Sequence, residues 1–348
     1  MGDSCAGGSG PVLRLRAVAP YAVALLASGL LFLVFRVSPV QASAVLAEGA
    51  AGDRFAVART LLKTTPLLLC GLGMVVAWRA GVYNIGGEGQ LLAGAVLGAI
   101  VFQAGGAFAG AATPWLFVLI GGLGGALWAS IAGWLQAYRG VPAVISTILL
   151  NFVILQLLLW LVSGPLQDPS LGVPLSRRLP EVAMLPRLDR QSDLHAGVLI
   201  GFLAAPALWL VLYRTFWGLD VRFAGANPEA ARANRRPVRW IQLGSMALSG
   251  FLCGTAGGVE YAGSLGQIGS GLSQNWGFLA IPVALLGGLD PLGVVVSALV
   301  FGGLYAGSDN LMRFTPAGSA LVTAFQAVAL LAFIATRAEL RRREGSAA

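Results

Sequence analysis

Long apolar runs alternate with short clusters of charged residues along this chain. A helix that crosses a bilayer needs about 20 mostly apolar residues, so the charge-free runs set the number of predicted spans. The run from 89 to 138 is too long for one span, and the pairs Gly105-Gly106 and Thr113-Pro114 divide it. The pattern predicts about ten spans, near 17–35, 64–78 (extended by Lys63), 90–104, 114–135, 141–162, 196–213, 240–259, 276–288, 291–308 and 318–336.

The composition agrees with a membrane protein. The chain has 348 residues, of which 57% are hydrophobic and 11% are charged, whereas soluble domains carry about 25% charged residues. We therefore predict an all-α polytopic membrane protein. Residues 1–16 are expected to form a disordered cytoplasmic N-terminus, residues 17–336 a single transmembrane domain with an outer loop at 163–195 and a cytoplasmic loop at 214–239, and residues 337–348 a basic cytoplasmic tail.

The basic residues predict the orientation. Ten spans place both termini on the same side, and fourteen of the 23 Lys and Arg residues fall on that side. Cytoplasmic loops carry an excess of Lys and Arg, so both termini are expected in the cytoplasm. Most of the other basic residues lie in two long outer segments, 36–63 and 163–195, which carry less weight in setting topology.

The stretch Arg79–Gln90 interrupts the apolar pattern with an arginine, a glutamate, two amides and four glycines. Charge at membrane depth is expensive and is usually retained for function. Non-helical backbone is tolerated there where it lines a cavity. The stretch is therefore a candidate functional break in the helices, and the alternative is a Gly-rich turn at the surface.

A second Gly-rich interruption, Gly263–Gly277, lies late in the chain. Each interruption follows a long apolar helix and precedes a short one. Paired interruptions in two halves indicate an internal repeat with broken helices and a substrate site at its interface. Because 48 of the residues are glycine, chance is the alternative explanation.

The predicted cytoplasmic loop contains a helix start signal. Asn227 followed by Pro228 is typical of a helix N-terminus, and Glu229 suits the helix dipole. With Pro237 expected to end it, the helix has about two turns and needs a partner to be stable. The alternative is a positively charged loop that only sets topology.

Several kinds of chemistry are absent from the sequence. No P-loop motif is present, since the only lysine, Lys63, follows a leucine, so this chain is not expected to hydrolyse ATP. The single histidine, His195, is predicted to be structural, and the three cysteines show no metal-site or disulfide spacing. We therefore predict no enzyme. Glu88 and Glu260 could carry protons within the membrane, which is the argument for an ion-coupled secondary transporter.

The polar stretch also carries a family resemblance. Arg79–Gln90 resembles the "R-A-G-x-x-N-I-G-x-E-G-Q" signature of permease subunits of bacterial ABC importers, the class that includes ribose, simple-sugar and branched-chain amino-acid permeases. Val144–Asn151, Gly225–Ala231 and Ile281–Gly293 are similar to further segments of that family, in the same order. The N-I-G-x-E-G-Q form is most similar to the nucleoside-importing branch.

The resemblance implies a permease subunit of an ATP-driven importer in the cell membrane, which moves nucleosides by alternating access. It implies a second, related permease in a heterodimer, a cytoplasmic ABC ATPase that holds ATP and Mg²⁺, and an extracytoplasmic substrate-binding protein. No cofactor in this chain and no nucleic acid partner are expected. Simple sugars such as ribose are the alternative substrates, and an ion-coupled secondary transporter is the alternative mechanism.

The resemblance also assigns candidate residues. The substrate pathway is expected to include Asn84, Gly86, Glu88, Gln90, Asn151, Gln274 and Asn275, although such polar side chains also hold helices together. Glu88 could equally pair with Arg79 as a structural lock. The ATPase-coupling loop is expected to include Gly225, Asn227, Pro228, Glu229, Ala230 and Ala231. Where the family has a glycine after this loop's Ala-Ala pair, Asn234 is expected to adopt the left-handed conformation instead.

Overall fold

The computed structural model describes residues 38–105, 110, 112–189, 191–314 and 327–328. The described residues divide into two compact units. One covers residues 54–305, and the other combines the described residues before 54 with those from 306 onward. The predicted spans at 17–35 and 318–336, the segment 1–16 and the tail 337–348 lie outside the described residues, apart from 327–328.

The described chain is built from α-helices. Only isolated β-bridges occur in this part of the chain, without strands. The helices are α1 (Pro39–Ala51), α2 (Arg54–Arg79), α3 (Gly87–Gly105), α4 (Thr113–Arg139), α5 (Ala143–Val162), α6 (Gly197–Arg214), α7 (Phe216–Ala226), α8 (Pro228–Ala233), α9 (Val238–Val259), α10 (Trp276–Leu286) and α11 (Pro291–Phe314), with a 3₁₀ turn at Glu181–Ala183 and a π-helix at Glu260–Leu265.

Eight of these helices lie at the predicted spans from the second to the ninth. Six of them, α2 to α6 and α11, are long and apolar enough to cross a membrane. The predicted break between the third and fourth spans is confirmed, because α3 ends at Gly105 and α4 begins at Thr113 with Pro114 in its first turn.

The core of the larger unit is the contact of α9 with α4, where glycines replace side chains. Gly121 and Gly125 on α4 face Gly250 and Gly254 on α9, and a Cβ at any of the four would collide with backbone of the other helix. Small residues spaced four apart let membrane helices approach closely and gain van der Waals contact. This packing fixes α9, and with it the π-helix that continues it.

The predicted outer loop lies against the π-helix and the residues that follow it. Its backbone amides at Ser176, Leu179 and Leu185 donate to carbonyl oxygens of Ile268, Gly266 and Ala262, at 2.9, 2.7 and 2.8 Å respectively. Unpaired backbone groups are costly to bury, so these bonds hold an irregular segment in a defined position. The loop therefore forms one wall above the π-helix.

The smaller unit contains α1 and the end of α11. Gly49 on α1 lies so close to Gly307 and Asn310 that a Cβ would overlap them. The Asn310 side chain donates to the carbonyl oxygen of Val45 at 3.2 Å. Gly49 thus permits the close approach of α1 to the end of α11, and the hydrogen bond from Asn310 stabilises that contact.

Two helices were missed by the sequence pattern. The segment 36–63 was counted only as an outer segment, yet it contains α1 and the first residues of α2. The loop 214–239 was expected to hold one short helix, yet α7 precedes it. Both contain charged residues, which interrupt an apolar run without ending a helix.

Candidate functional site

The break at Arg79–Gln90 is a buried junction rather than a surface turn. Helix α2 ends at Arg79, the backbone leaves the helical path, and α3 begins at Gly87. Within the stretch, Asn84 is fully buried and Gln90 is 1% exposed. The conformation begins at Gly81, whose φ of +75° is one that glycine adopts without strain.

Asn84 organises the inside of the junction. Its Nδ2 donates to Oε1 of Gln90 at 3.0 Å and to Oγ of Ser249 on α9 at 2.9 Å. Its Oδ1 accepts from the backbone amide of Gly86 at 2.8 Å and from Nε2 of Gln90 at 3.0 Å. The two amide side chains therefore satisfy each other where water is excluded, as buried polar groups must.

Helix α5 holds the same junction from another direction. Asn151 accepts at Oδ1 from the backbone amide of Gly89 at 2.9 Å and donates from Nδ2 to the carbonyl oxygen of Ile85 at 3.2 Å. Thr147 Oγ1 accepts from the amide of Ile85 at 3.3 Å. A Cβ at Gly86 would lie 2.9 Å from Cβ of Thr147, so glycine is needed for this approach. The backbone of the break is thus bonded to side chains of α5.

The two Gly-rich interruptions meet at Glu88. The Glu88 carboxylate accepts from the backbone amide of Gly277, in the first turn of α10, at 2.9 Å. Gly277 and Gly87 are close enough that a Cβ on Gly277 would overlap the backbone of Gly87 and Glu88. A carboxylate is favourable at a helix N-terminus because free amides point at it. The start of α3 therefore caps the start of α10.

The predicted alternative in which Glu88 pairs with Arg79 is wrong. Arg79 donates from Nε to the carbonyl oxygen of Leu289 at 2.9 Å and from Nη2 to the hydroxyl of Tyr213 at 3.2 Å. That hydroxyl donates to Asp290 at 3.2 Å. Arg79 therefore links the end of α2 to α6 and to the turn before α11, whereas Glu88 caps the N-terminus of α10.

Of the predicted pathway residues, Gln274 lines a cavity of about 1090 Å³. Ligand pockets have volumes of about 300–1,000 Å³, so a small polar solute would fit. The cavity is lined by the N-terminal part of α2, the loop 163–195, the π-helix and the segment before α10. Its charged lining consists of Arg59, Lys63, Arg178, Arg187, Glu181, Asp193 and Glu260.

Asn275, the other predicted amide beside Gln274, has a different position. It precedes α10 with φ of 65°, a left-handed conformation that asparagine tolerates better than most residues. Asn275 thus turns the chain from the cavity-lining Gln274 into α10.

His195 lies between two close glycine contacts beside the cavity. A Cβ at Gly197 or at Gly263 would overlap its ring. Its Nδ1 accepts from the amide of Gly197 at 3.2 Å, and its Nε2 is 3.2 Å from Oγ of Ser264. Burial lowers the pKa of His195 to about 4, although the charge of Asp193 opposes the shift. The imidazole is therefore neutral at pH 7, with its hydrogen on Nε2.

The predicted helix start in the loop 214–239 is confirmed. Asn227 precedes α8, and its Oδ1 accepts from the backbone amides of Glu229 and Ala230, both at 3.0 Å. Pro228 is the first helical residue, and Ala231 is fully buried. The free amides of the first turn are thus satisfied by the Asn227 side chain.

The end of α8 differs from the prediction. The helix stops at Ala233, before Pro237, and Asn234 has φ of −84°. The left-handed residue is Arg235, with φ of 57°, so the expectation for Asn234 was wrong. Asn234 instead donates from Nδ2 to the carbonyl oxygen of Ala230 at 2.9 Å, which closes the last turn.

Gly225 joins this loop to the junction. A Cβ at Gly225, near the end of α7, would collide with the carbonyl oxygen of Arg79 and the amide of Gly81. The segment before α8 therefore packs directly on the residues at which α2 ends and the break begins. Sequence spacing could not show this contact.

Most of the cavity-lining residues were missed from the sequence. The sequence marks Glu260 only as an acid that could carry protons within the membrane, and Lys63 only as an extension of a span. Lys63 Nζ lies 5.7 Å from the ring centroid of Trp276, which also lines the cavity. The single lysine among so many arginines was the one available signal.

Comparison with known proteins shows similarity along nearly the whole chain. A family model described as "Branched-chain amino acid transport system / permease component" matches residues 56–335. The glucose ABC transporter permease protein TsgB13 of Haloferax volcanii is 34% identical, over 93% of this chain and 88% of its own. The guanosine ABC transporter permease protein NupP of Bacillus subtilis is 33% identical, over 91% of each chain.

The nucleoside ABC transporter permease protein NupB of Lactococcus lactis subsp. cremoris is 28% identical, over 82% of this chain and 81% of its own. No solved structure matches the chain. The similar proteins thus include permeases whose names give a sugar and permeases whose names give nucleosides.

Proposed function

The chain belongs to the family of permease components of branched-chain amino acid transport systems, and from that membership we propose that it imports nucleosides as one subunit of an ATP-driven transporter. As a permease subunit it is a transport component of the cell membrane and not an enzyme. The proposal adds the substrate, the partners and the way in which ATP hydrolysis reaches the transport path.

The observation that carries the proposal is the contact of Gly225 with Arg79 and Gly81. Glu229 and Arg232 on α8 are exposed, whereas Ala231 is buried. A partner that docks on the exposed face of α8 would therefore act through α7 on the break. In the proposal this partner is the cytoplasmic ABC ATPase, which holds ATP and Mg²⁺, and α8 is the coupling helix.

The proposed topology has ten spans with both termini in the cytoplasm. The outer loop at 163–195 then faces an extracytoplasmic substrate-binding protein, and a second, related permease completes a heterodimer. Helix α2, the first break and α3 correspond to α9, the second break and α10 as two halves of a repeat. The contact of Glu88 with Gly277 joins the two breaks and supports this correspondence.

The proposed substrate path runs from the cavity past Gln274 and Asn275 to the junction. The residues that form the junction there are Asn84, Gly86, Glu88, Gln90 and Asn151. Their mutual hydrogen bonds support a role in holding the closed shape of the path. Rearrangement of these bonds during alternating access would open the path. A transporter must also release its substrate, so the path should not bind it tightly.

Exchange of the charges on α8 tests the coupling role. The double variant Glu229→Arg, Arg232→Glu preserves net charge and spares the buried Ala231. We expect ATP-driven uptake to fall at least about tenfold, since like charges brought together in an interface cost several kcal/mol and about 1.4 kcal/mol is a factor of ten. Co-purification with the ATPase shows whether docking is lost. If the double variant shows uptake and co-purification at wild-type levels, α8 is not the coupling helix.

The sugar permease at 34% identity supports a second substrate class. Competition distinguishes the two, because labelled guanosine uptake by the whole transporter should be inhibited by unlabelled nucleosides and not by glucose or ribose. Inhibition by a sugar alone, together with sugar uptake, would assign the alternative substrate.

A further inference from the structure

We propose that Glu260 determines the substrate selectivity of the transport path by accepting hydrogen bonds from two adjacent donors on the solute. The inference rests on the proposed function, since it assumes that the cavity beside the π-helix belongs to that path. Two adjacent donors occur in the vicinal hydroxyls of a ribose or hexose and in the N1–H and N2–H edge of guanine.

The π-helix places Glu260 in the cavity wall. The segment Glu260–Leu265 continues α9 with the wider π-helical turn, a feature that often marks functional sites. Glu260, Gly263, Ser264 and Leu265 all line the cavity. Glu260 is half-buried, so part of its side chain is open to the cavity while protein surrounds the rest.

A chain of hydrogen bonds orients the carboxylate. His195 receives the Gly197 amide at Nδ1, so its Nε2–H donates to Oγ of Ser264 over 3.2 Å. The Ser264 hydroxyl then has its own hydrogen to donate, and the Glu260 carboxylate is its acceptor. The acceptor at Nδ1 of His195 makes its Nε2 a donor, and that donor leaves the Ser264 hydroxyl free to donate to Glu260. The carboxylate is thus held by a rigid, neutral imidazole clamped between glycines.

The charge of Lys63 favours the ionised carboxylate. Lys63 lies close enough to Glu260 for its ammonium to stabilise the negative charge. The same ammonium lies 5.7 Å from the ring centroid of Trp276. An opposite charge nearby offsets part of the desolvation that an enclosed carboxylate suffers. Burial is still the larger effect and raises the pKa of Glu260 to about 7, so the carboxyl group is about half ionised at pH 7, and its ionised form is the acceptor.

An ionised carboxylate has the capacity for further partners. It accepts about four hydrogen bonds, and Ser264 provides one. Two parallel donors match its two oxygens, in the geometry that makes bidentate pairs both strong and selective. A solute that lacks one of the two donors leaves an oxygen poorly satisfied, and sites built for hydrogen bonding discriminate strongly against such analogues.

The test compares transport rates for close analogues in one preparation of the whole transporter, with the binding protein saturated by each solute. Inosine lacks the guanine N2 amino group, and 2′-deoxyguanosine lacks one ribose hydroxyl. We expect the wild type to prefer guanosine over one of these by about tenfold, and Glu260→Gln to reduce that preference to about twofold or less. If inosine is the poorer substrate, the donor pair is the base edge. If 2′-deoxyguanosine is the poorer substrate, the donor pair is the ribose diol.

Glu181→Gln is the matched control, because Glu181 lines the same cavity from the outer loop and is exposed. It should keep the wild-type preference. Glu260→Asp and Ser264→Ala keep a carboxylate but displace it, and each should reduce the preference partially. A ratio between two solutes does not depend on how much transporter folds. Equal preferences in wild type and all Glu260 variants would overturn the proposal.

The design separates this inference from the proposed function. If the wild type transports glucose and no nucleoside, the proposed substrate class is wrong. Glucose and 2-deoxyglucose, which lacks one of two neighbouring hydroxyls, then provide the same comparison. Loss of that preference in Glu260→Gln would retain the role of Glu260, and an unchanged preference would reject it.

Discussion

The contact of Gly225 with the end of α2 gives a quantitative prediction for Gly225→Ala. The added Cβ would collide with backbone atoms of Arg79 and Gly81, which cannot rotate away as a side chain can. Overpacking of this kind costs about 1–3 kcal/mol. Gly244→Ala is the matched control, since Gly244 lies within α9 and a Cβ there has nothing within 4 Å. Alanine favours a helix over glycine by about 1 kcal/mol.

Both glycines lie within helices, so the gain in helix propensity applies to both variants, and they should differ by the overpacking cost of about 1–3 kcal/mol, with Gly225→Ala the less stable. Thermal unfolding of the purified permease in lipid nanodiscs measures this difference. In the assembled transporter, Gly225→Ala should also lower the amount of solute imported per ATP hydrolysed, because α7 no longer packs on the break. If both variants unfold at the same temperature and import equally, Gly225 does not transmit movement from α8.

Three further variants test individual contacts. Asn84→Leu should cost about 3 kcal/mol or more, because the Gly86 amide, the Gln90 amide and Ser249 Oγ lose a buried partner; a loss below about 1 kcal/mol in thermal unfolding would contradict this. Gly277→Ala should abolish uptake by forcing α10 away from Glu88, and wild-type uptake would show that the contact is not needed. His195→Gln should remove one part of the acid sensitivity. Burial lowers the pKa of His195 from 6.5 to about 4, so the unfolded chain binds more protons between these values and stability falls by up to about 3 kcal/mol as pH drops through them. Unfolding midpoints at pH 7 and pH 4.5 that shift equally in wild type and variant would refute the assignment.

Local signals in the sequence predicted local structure well. Asn227-Pro228 starts α8 as expected, since an N-cap depends only on the next three residues. The glycines of Arg79–Gln90 mark a real break, and the short helix after the second interruption, α10, begins at Trp276. The charge-free runs missed α1 and α7, because they predict spanning helices and these two have only 13 and 11 residues. At the end of α8 the left-handed position moved by one residue to Arg235, which residue preference alone does not determine.

The site could be predicted only in part, because its contacts join residues far apart in the chain. The amide of Gly277 and the carboxylate of Glu88 are 189 positions apart, and Ser249 and Asn84 are 165 apart. Residue type marked Asn84, Glu88 and Gln90 as candidates, but their partners depend on helix packing through glycines. The cavity is lined in part by the loop 163–195, whose polar sequence resembles an ordinary surface loop, so its residues carried no separate signal.

We propose that ATP hydrolysis by a partner ATPase drives nucleosides through this permease. The most direct measurement uses proteoliposomes that contain the permease pair and the ATPase, with ATP enclosed and guanosine-loaded binding protein outside. We expect accumulation of guanosine with ATP, none with a non-hydrolysable analogue, and no effect of collapsing a proton gradient. Guanosine uptake that needs the proton gradient and proceeds without ATP would contradict it.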